Sequence, residues 1–327
     1  MAAPKQQRIF MTGASGYIGS RITEFALREG YTVHGLSRSA SGVAKLRSLG
    51  AVPVSGTLSS LDVLRAEAAQ ADIVVHLADS WTDDFSQPYD NVVKIDVAAV
   101  DAMIEGLAGS ASARKLFVGT SGTAVVEPDA DDGETDEAAP GNSNPFNGRI
   151  RCEQHQLSRA GNGVRVSAMR LPAFVYGRGG SGVALFMRTF AKVGFVARVG
   201  DGLTQTCVVH VDDAARAYVL ALKHACVEPG RTADIYNVTS STEVTFRDLT
   251  DAIATTMGLP VKEMSAAEAA ETASPLIAGF FSHRNRGKSD KAKKELGWTH
   301  TEVGILEDIR NGSYVQVAKE LKSTAGV

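Results

Sequence analysis

Three glycines stand at intervals of three residues between an apolar run and an amphipathic segment. The run Arg8–Thr12 predicts a β-strand, and apolar residues at helical spacing predict a helix over Tyr17–Glu29. Gly13 permits a tight turn, Gly16 lets the backbone approach a phosphate, and Gly19 lets the helix pack closely on the strand. The N-terminus of a helix presents free N–H groups and the positive end of its dipole. This strand–turn–helix pattern therefore predicts a seat for the pyrophosphate of a dinucleotide.

A basic residue follows the second predicted strand, Tyr31–Leu36. Proteins that bind NAD place a carboxylate at this point for the ribose 2′-hydroxyl. Here the strand is followed by Ser37, Arg38 and Ser39. An arginine can pair with a 2′-phosphate and can stack on adenine, and the alternative is a solvated surface arginine. We favour NADP(H) as the cofactor, with Ser37 and Arg38 in contact with it.

Strands and helices alternate along the chain and position these residues. The predicted strands are Arg8–Thr12, Tyr31–Leu36, Val52–Val54, Ile73–Leu77, Lys115–Val118, Val164–Arg170, Val208–Val211 and Ile235–Val238. The predicted helices are Tyr17–Glu29, Ser41–Leu49, Leu58–Gln70, Asn91–Leu107, Pro145–Ala160 and Asp212–His224. Continuous apolar strands joined by helices predict an α/β fold, a Rossmann-type doubly wound parallel sheet with helices on both faces.

The pattern also suggests two lobes. We expect residues 1–171, with 206–240 returning to the sheet, to form the dinucleotide-binding domain. Residues 172–205 and 241–327 are expected to form a smaller, mostly helical lobe that binds substrate. An acidic segment lies between the helices of the first lobe, where seven of the eleven residues from 127 to 137 are Asp or Glu. A solvated loop is its simplest interpretation, and a mobile flap beside a site is the alternative.

Composition narrows the class of protein. The chain has 327 residues, of which 44% are hydrophobic, and 34 basic against 37 acidic residues give a net charge of −3. These values argue against a disordered chain and against nucleic-acid or membrane-surface binding. Cys152, Cys207 and Cys226 have neither a disulfide nor a zinc spacing, and no signal-peptide pattern precedes the first strand. We expect a cytoplasmic protein with a small-molecule substrate and no metal site.

Several motifs resemble one enzyme superfamily. The turn T-G-A-S-G-Y-I-G is similar to that of the extended short-chain dehydrogenases/reductases, which include sugar-nucleotide epimerases, dehydratases and carbonyl reductases. Further similar motifs are V-V-H-L-A at Val74–Ala78, R-L-P-A-F-V-Y-G at Arg170–Gly177, V-H-V-D-D-A-A-R-A at Val209–Ala217 and K-A-K-K-E-L-G-W at Lys291–Trp298. The resemblance, closest to the atypical NAD-dependent epimerase/dehydratase-like members, implies a nicotinamide cofactor. The residues that it implies in cofactor binding are Gly13, Ser15, Gly16, Tyr17, Ile18, Gly19, Ser37, Arg38, Leu58, Leu77, Ala78, Pro172 and Val175.

The superfamily works with a Ser/Thr, a Tyr and a Lys, and this chain lacks the tyrosine. If Glu153 matches the family's glutamate, Arg149 takes the lysine position and Pro145 the tyrosine position. A shift by one residue places Ile150 and Phe146 there instead. Neither alignment supplies a phenol. Arginine keeps its charge, so Arg149 is expected to hold the ribose or to stabilise an oxyanion.

The Ser/Thr position falls near Gly122, and its neighbours Ser121 and Thr123 are the candidate catalytic hydroxyls. Asp79 and Trp81 follow the fourth strand, at the edge where cofactor and substrate meet, and are predicted to contact the substrate. The resemblance implies that the apolar stretch from 174 to 197 closes over the substrate. Its predicted substrate contacts are Phe174, Tyr176, Phe186 and Met187.

Three functions remain open at this point. The first is an NADPH-dependent reductase of a small to medium hydrophobic carbonyl or imine compound, with a proton from Ser121, Thr123 or water. The second is an epimerase or dehydratase that keeps its NAD(P) bound, and the third is a non-catalytic NADPH-binding redox sensor. The resemblance also implies a possible homodimer through the helices Asn91–Leu107 and Pro145–Ala160. On the first of these helices, four residues serve either as core or as interface: Val92, Ile95, Ala99 and Met103.

Overall fold

A parallel β-sheet forms the centre of the protein in its computed structural model, which describes residues 6–84, 87–145, 147–224 and 232–324. The strands are β1 (Arg8–Thr12), β2 (Thr32–Ser37), β3 (Val52–Ser55), β4 (Ile73–His76), β5 (Leu116–Gly122), β6 (Arg165–Leu171), β7 (Phe174–Tyr176), β8 (Val196–Val199), β9 (Gln205–His210), β10 (Ala233–Asn237), β11 (Ser241–Thr245) and β12 (Val261–Met264). The helices are α1 (Tyr17–Arg28), α2 (Ala40–Leu49), α3 (Leu61–Ala68), α4 (Tyr89–Gly109), α5 (Arg149–Ser158), α6 (Ser181–Val193), α7 (Val211–His224), α8 (Phe246–Met257), α9 (Ala266–Thr272), α10 (Pro275–Phe280), α11 (Asp290–Leu296), α12 (Ile305–Asn311) and α13 (Tyr314–Thr324). Phe146 and Cys226 lie outside the described residues.

The central sheet is doubly wound. Its strand order is β10-β6-β5-β4-β1-β2-β3, and every neighbouring pair is parallel. The chain winds outward from β1 to β3, then crosses back to β4 and winds outward in the other direction. The order therefore reverses between β1 and β4, and such a switch point opens a crevice at the carboxyl ends of the strands. The predicted α/β fold class is confirmed.

Helices cover both faces of this sheet, and β1 shows why its sequence is continuously apolar. Ile9 and Met11 are buried in the core shared with α1 and α7, whereas Phe10 is buried in the core shared with α3 and α4. Because successive side chains of a strand point to opposite faces, a strand covered on both sides has no solvent-facing position. For three residues of α4, the choice between core and interface is now decided. Val92, Ala99 and Met103 are buried within this chain and belong to its core.

The C-terminal lobe contains helices and two small sheets. β9 pairs with β7 and β11 in one sheet, and β12 pairs with β8 in the other. Segment 206–240 returns to the central sheet through β10, which pairs with β6, while β9 stays in the smaller sheet. A second core fills the lobe between α6, α8, α10, α12 and α13. Among the helices formed by described residues, none combines the length and the apolar run that crossing a membrane requires.

The acidic segment is fastened to the C-terminal lobe rather than solvated along its length. Arg284 and Arg286 donate hydrogen bonds to the carbonyl oxygens of Asp129 and Asp132. The backbone of Thr135 pairs with that of residues 286 and 288 at 3.1 and 2.9 Å. These bonds favour a fixed strap over both the solvated loop and the mobile flap.

A buried ion pair fixes α5 to the sheet. The guanidinium of Arg170, on β6, donates to both carboxylate oxygens of Glu153 at 2.6 and 2.9 Å. The two side chains are 4% and 1% exposed. The helix starts at Arg149, four residues later than predicted, because the side chain of Asn147 accepts the Arg149 N–H at 3.0 Å and turns the chain into the helix there.

Removal of one partner of this pair leaves an uncompensated buried charge. We expect Glu153→Ala to lower the free energy of unfolding by about 3–5 kcal/mol. The control is Asp90→Ala, which removes the exposed ion pair with Arg151 and is expected to cost about 1 kcal/mol or less. Urea denaturation followed by circular dichroism measures both values. A loss in Glu153→Ala no larger than that in Asp90→Ala contradicts the assigned role of the pair.

Candidate active site

A cleft of about 780 Å³ opens at the carboxyl ends of the central strands. We call it the main cleft. It lies at the switch point between β1 and β4, where the topology of the sheet predicts a ligand. The lining consists of residues at or directly after the ends of β1 to β4, the first three residues of α1, and one residue each of α4 and β5: Gly13, Ser15, Gly16, Tyr17, Ile18, Gly19, Leu36, Ser37, Arg38, Ser39, Gly56, Thr57, Leu58, Ser59, Leu77, Ala78, Asp79, Ser80, Ile95 and Thr120.

The glycine turn forms one end of the main cleft and has no room for side chains. Gly13 has a φ of +70°, and a Cβ there would lie 2.9 Å from the backbone nitrogen of Ala78. A Cβ on Gly19 would overlap the carbonyl oxygen of Gly13. The first turn of α1 therefore meets the end of β1 directly, and its N–H groups face the cleft. This cradle fits a pyrophosphate.

A buried hydrogen-bond network holds the floor of the main cleft. The hydroxyl of Thr12 accepts the N–H groups of Leu77 and Ala78, both at 3.2 Å, and lies 2.7 Å from Nδ1 of His76. Nε2 of His76 lies 3.1 Å from Asp96 on α4. Because Thr12 already accepts two bonds, its own hydrogen points to Nδ1, and Nε2–H then faces the Asp96 carboxylate. The network joins β1, β4 and α4 at the cleft.

A fixed positive charge lies beside Asp79, one of the residues that line the main cleft. We call the part of the cleft at Asp79 its inner end. Arg149, the first residue of α5, forms an ion pair with Asp79. The other Asp79 oxygen accepts the Trp81 N–H at 2.7 Å, so Asp79 is held from two sides. Burial lowers the pKa of the Arg149 guanidinium, which remains a cation because arginine does not lose its proton in proteins. The pair fixes a cation next to Asp79, which lines the main cleft.

The predicted catalytic hydroxyls do not line the main cleft, and their neighbour Thr120 does. Oγ of Ser121 is buried and has no hydrogen-bond partner among the described residues. The hydroxyl of Thr123 donates to Asn285 and lies 3.3 Å from the Cys207 sulfur. Thr120 Oγ1 lies 2.7 Å from the phenol oxygen of Tyr218. The prediction for Thr123 is therefore corrected: its hydroxyl is committed to the C-terminal lobe.

The apolar residues predicted to contact substrate have a structural role instead. Four of them are at most 3% exposed and pack in the core of the C-terminal lobe: Phe174, Tyr176, Phe186 and Met187. Tyr176 also donates its hydroxyl hydrogen to the carbonyl of Val303 at 2.7 Å. Pro172 and Val175 are likewise buried and are not among the residues that line the main cleft. The apolar side chains that the sequence singled out therefore fill the core of the C-terminal lobe.

Trp81 remains beside the site. It is half-buried and makes an edge contact with the ring of Tyr89, with 5.6 Å between ring centroids. The two rings stand after β4 and at the start of α4, on the side of Asp79. They form an aromatic wall next to the ion pair.

Three side chains of types that can bind metal ions lie close together outside the main cleft. His210, Asp212 and Glu302 bring ligand atoms within 4.8 Å of one another. Asp212, however, is bonded to Arg21 and Arg178. Its carboxylate is therefore already neutralised by two guanidinium groups, and the group ties α7 to neighbouring elements.

Comparison with known proteins identifies the family. The model of the NAD dependent epimerase/dehydratase family matches residues 9–239. The chain belongs to this family. Epimerase/dehydratase family members use a nicotinamide cofactor, and the glycine cradle of the main cleft fits such a group.

Two relatives and one solved structure align with most of this chain. An uncharacterized protein of Schizosaccharomyces pombe is 33% identical over 308 residues, which are 94% of this chain and 99% of the relative. A 4-hydroxy-2-methyl-3-oxo-4-farnesyl-3,4-dihydroquinoline-1-oxide ketoreductase of Stigmatella aurantiaca is 27% identical over 264 residues, 77% of this chain and 74% of the relative. The solved UDP-glucose 4-epimerase of Thermotoga maritima superposes with a TM-score of 0.73 at 20% identity, covering 96% of this chain and 99% of that one. That likeness shows the shared fold.

The glycine cradle leads to a test of the cofactor site. Gly19→Ala places a methyl group against the carbonyl of Gly13, so α1 must shift and we expect dinucleotide binding to weaken by at least about tenfold. The control is Gly109→Ala at the end of α4, where the space around the glycine is open. Fluorescence titration with NADPH and NADH measures both. Equal affinities for the two variants contradict the assignment.

Proposed function

We propose that the protein is an NADPH-dependent oxidoreductase that reduces a small to medium hydrophobic carbonyl or imine compound by hydride transfer. It acts without the family's usual tyrosine. The observation that carries the NADPH preference is a second cleft, of about 460 Å³, which adjoins the main cleft. We call it the cationic cleft.

The cationic cleft supports a phosphate rather than a hydroxyl on the ribose. Arg38, after β2, and Arg47, on α2, both line it. Hydroxyl residues of β2, β3 and their loops complete the lining: Ser37, Ser39, Ser55 and Thr57. None of the described lining residues is a carboxylate, so a ribose 2′-hydroxyl lacks its usual acceptor. Two guanidinium groups and several hydroxyl donors match the charge and the geometry of a phosphomonoester.

Helix α2 adds to the positive character of this cleft. Its N-cap residue Ser39 lines the cleft and accepts the N–H of Gly42 at 3.1 Å. The amino end of α2 therefore points towards the same space as Arg38. A helix N-terminus favours an anion by roughly 0.3–1 kcal/mol, which supplements the arginines.

The residues of the two clefts have different roles in the proposed reaction. When bound, the nicotinamide cofactor supplies a hydride. The glycine turn binds the pyrophosphate, and Arg38 with Arg47 binds the 2′-phosphate. The Arg149 guanidinium, held by Asp79 beside the inner end of the main cleft, stabilises the substrate oxygen as it gains negative charge. Thr120 also lines this cleft.

Two observations support an apolar acceptor over a nucleotide sugar. Arg198, a cation of the C-terminal lobe, is 7% exposed and bonded to Thr250, Asp251 and Glu263, so it is committed to the fold rather than to a diphosphate. The aromatic wall of Trp81 and Tyr89 lies next to Asp79, which accepts the backbone N–H of Trp81. The Stigmatella aurantiaca relative, named as a ketoreductase of a farnesylated compound, is consistent with this substrate class.

The proposed activity is tested by NADPH consumption across a panel of hydrophobic aldehydes, ketones and imines. We expect turnover with several hydrophobic members and none with UDP-glucose. Interconversion of UDP-glucose and UDP-galactose without net NADPH consumption would show an epimerase instead. Tight NADPH binding without any conversion would show a binding protein.

The cofactor preference is tested by removing each arginine of the cationic cleft. Hydrogen bonds to charged groups contribute about 1.5–3 kcal/mol, so we expect Arg38→Ala to weaken NADPH binding by roughly 10–100-fold. Arg47→Ala is expected to have a smaller effect in the same direction. NADH affinity is expected to stay within about twofold in both variants because NADH lacks the 2′-phosphate.

Lys45→Ala is the matched control, because Lys45 is an exposed cation of α2 that does not line the cationic cleft. Fluorescence titration gives the dissociation constants of both cofactors. An NADPH-over-NADH ratio that is the same in Arg38→Ala as in the unaltered protein rules out the phosphate assignment.

A further inference from the structure

The start of α5 lacks the family's tyrosine. A different helix, α7, places a phenol next to a residue that lines the main cleft. Tyr218 belongs to α7, on the opposite face of the sheet from α5. Its phenol oxygen lies 2.7 Å from Oγ1 of Thr120. Thr120 is the β5 residue that lines the main cleft. A chain of two hydroxyls therefore runs from the core to the cleft.

On the basis of the proposed reductase function, we propose that Thr120 gives its hydroxyl proton to the substrate oxygen and that Tyr218 resupplies Thr120 from behind. Thr120 is then the catalytic residue, and Tyr218 acts through it. The pair replaces the absent tyrosine from the other side of the sheet.

Side-chain alternation along β5 explains why Thr120 and not its neighbour forms this pair. A Cβ on Gly119 would overlap the side chain of Gln156 on α5, so that position faces α5. Successive strand residues face opposite sides, which directs Thr120 to α7 and Ser121 back to α5. The side chain of Ser121 and the hydroxyl of Thr120 therefore lie on different faces of the same strand end.

The position of Tyr218 is rigid. Its side chain is fully buried in the central core. Asp213, one turn earlier, accepts the backbone N–H groups of Thr301 and Glu302 at 2.9 and 3.2 Å, and its carbonyl accepts the indole N–H of Trp298 at 2.9 Å. Since α7 is tied at its start and packed along its length, the distance between the two hydroxyls is set by the fold.

The electrostatics suit a neutral phenol that is charged only during the reaction. Burial raises the pKa of Tyr218, while the hydrogen bond to Thr120 and the charge of Arg149 act in the opposite direction. Tyr218 is therefore protonated at neutral pH and available as a donor. Arg149 also stabilises the phenolate that forms when the proton leaves.

The proposed step balances. The carbonyl carbon accepts the hydride that the bound cofactor supplies, the C=O π bond breaks, and the cofactor is left oxidised. The oxygen takes the proton of Thr120, and Thr120 takes that of Tyr218. After the alcohol leaves, a proton from bulk solvent reaches the Tyr218 phenolate through Thr120, so that each alcohol formed consumes one solvent proton.

The experiment measures kcat, KM and the NADPH dissociation constant with an aldehyde or ketone reduced by the unaltered protein. We expect Thr120→Val to lower kcat about 100-fold and Tyr218→Phe at least about tenfold, since positioned proton transfer contributes on the order of 10²–10⁴. KM and NADPH affinity are expected to change by less than about threefold. Thr120→Ser keeps the hydroxyl and is expected to retain most of the activity.

Tyr236→Phe is the matched control. Tyr236 is also a buried phenol, on β10, which β6 separates from β5, and its hydroxyl bonds to Glu295 at 3.0 Å rather than to a residue that lines the main cleft. A proton inventory in mixed H2O and D2O adds a readout that a packing defect does not mimic. We expect a curved inventory for the unaltered protein and a linear one for Tyr218→Phe, because one transferred proton is lost.

The outcomes separate the relay from the function on which it rests. Reduction by Tyr218→Phe at the rate of Tyr236→Phe overturns the relay and leaves the reductase in place. So does a Thr120→Ser variant as slow as Thr120→Val, or a loss of NADPH affinity in Tyr218→Phe that equals its loss of kcat. If the unaltered protein reduces no member of the panel, the reductase function and the relay both fall.

Discussion

The close approach of α1 to the end of β1 is the constraint on which the site depends. No side chain fits on Gly19 beside the carbonyl of Gly13, so the first turn of the helix and the end of the strand meet through backbone alone. The same turn presents N–H groups to the cleft and leaves Thr12 free to bond the backbone after β4. From Thr12 the network continues through His76 to Asp96 on α4. One steric requirement thus aligns the phosphate seat, the cleft floor and the helix beside it.

Positive charge is concentrated at two separate places, and each is held differently. In the cationic cleft, Arg38 and Arg47 both line the space that the proposed 2′-phosphate would enter. Beside the inner end, Arg149 is already paired with Asp79, so its charge is oriented before any ligand arrives. Preorganised charge of this kind acts on an oxygen that becomes negative during a reaction without first having to reorganise. The helix that begins with Arg149 is itself fixed by the buried pair of Arg170 with Glu153.

The C-terminal lobe contributes its packed core to the fold, and none of its described residues lines the main cleft. Its large apolar side chains fill its own core, and the acidic strap is bonded across it by Arg284 and Arg286. Thr123, at the end of β5, is bonded to Asn285 of the same lobe, which couples the lobe to the strand that carries Thr120.

The amino-acid sequence alone determined the features that depend on neighbours along the chain. The glycine turn, the α/β class and Arg38 after β2 follow from local spacing and strand ends, and the structure has the turn between β1 and α1 and Arg38 directly after β2. The apolar strands are present with shifted bounds, and the predicted strand Val208–Val211 overlaps β9, which belongs to the smaller sheet. Only the tertiary structure decided that Thr120 and not Thr123 opens to the cleft, that Arg149 pairs with Asp79, and that the apolar residues after Phe174 are core. Each of these is a choice of strand face or a contact between distant segments. Local pattern carries no information about such choices, because they are set by how helices from separate parts of the chain pack on one sheet.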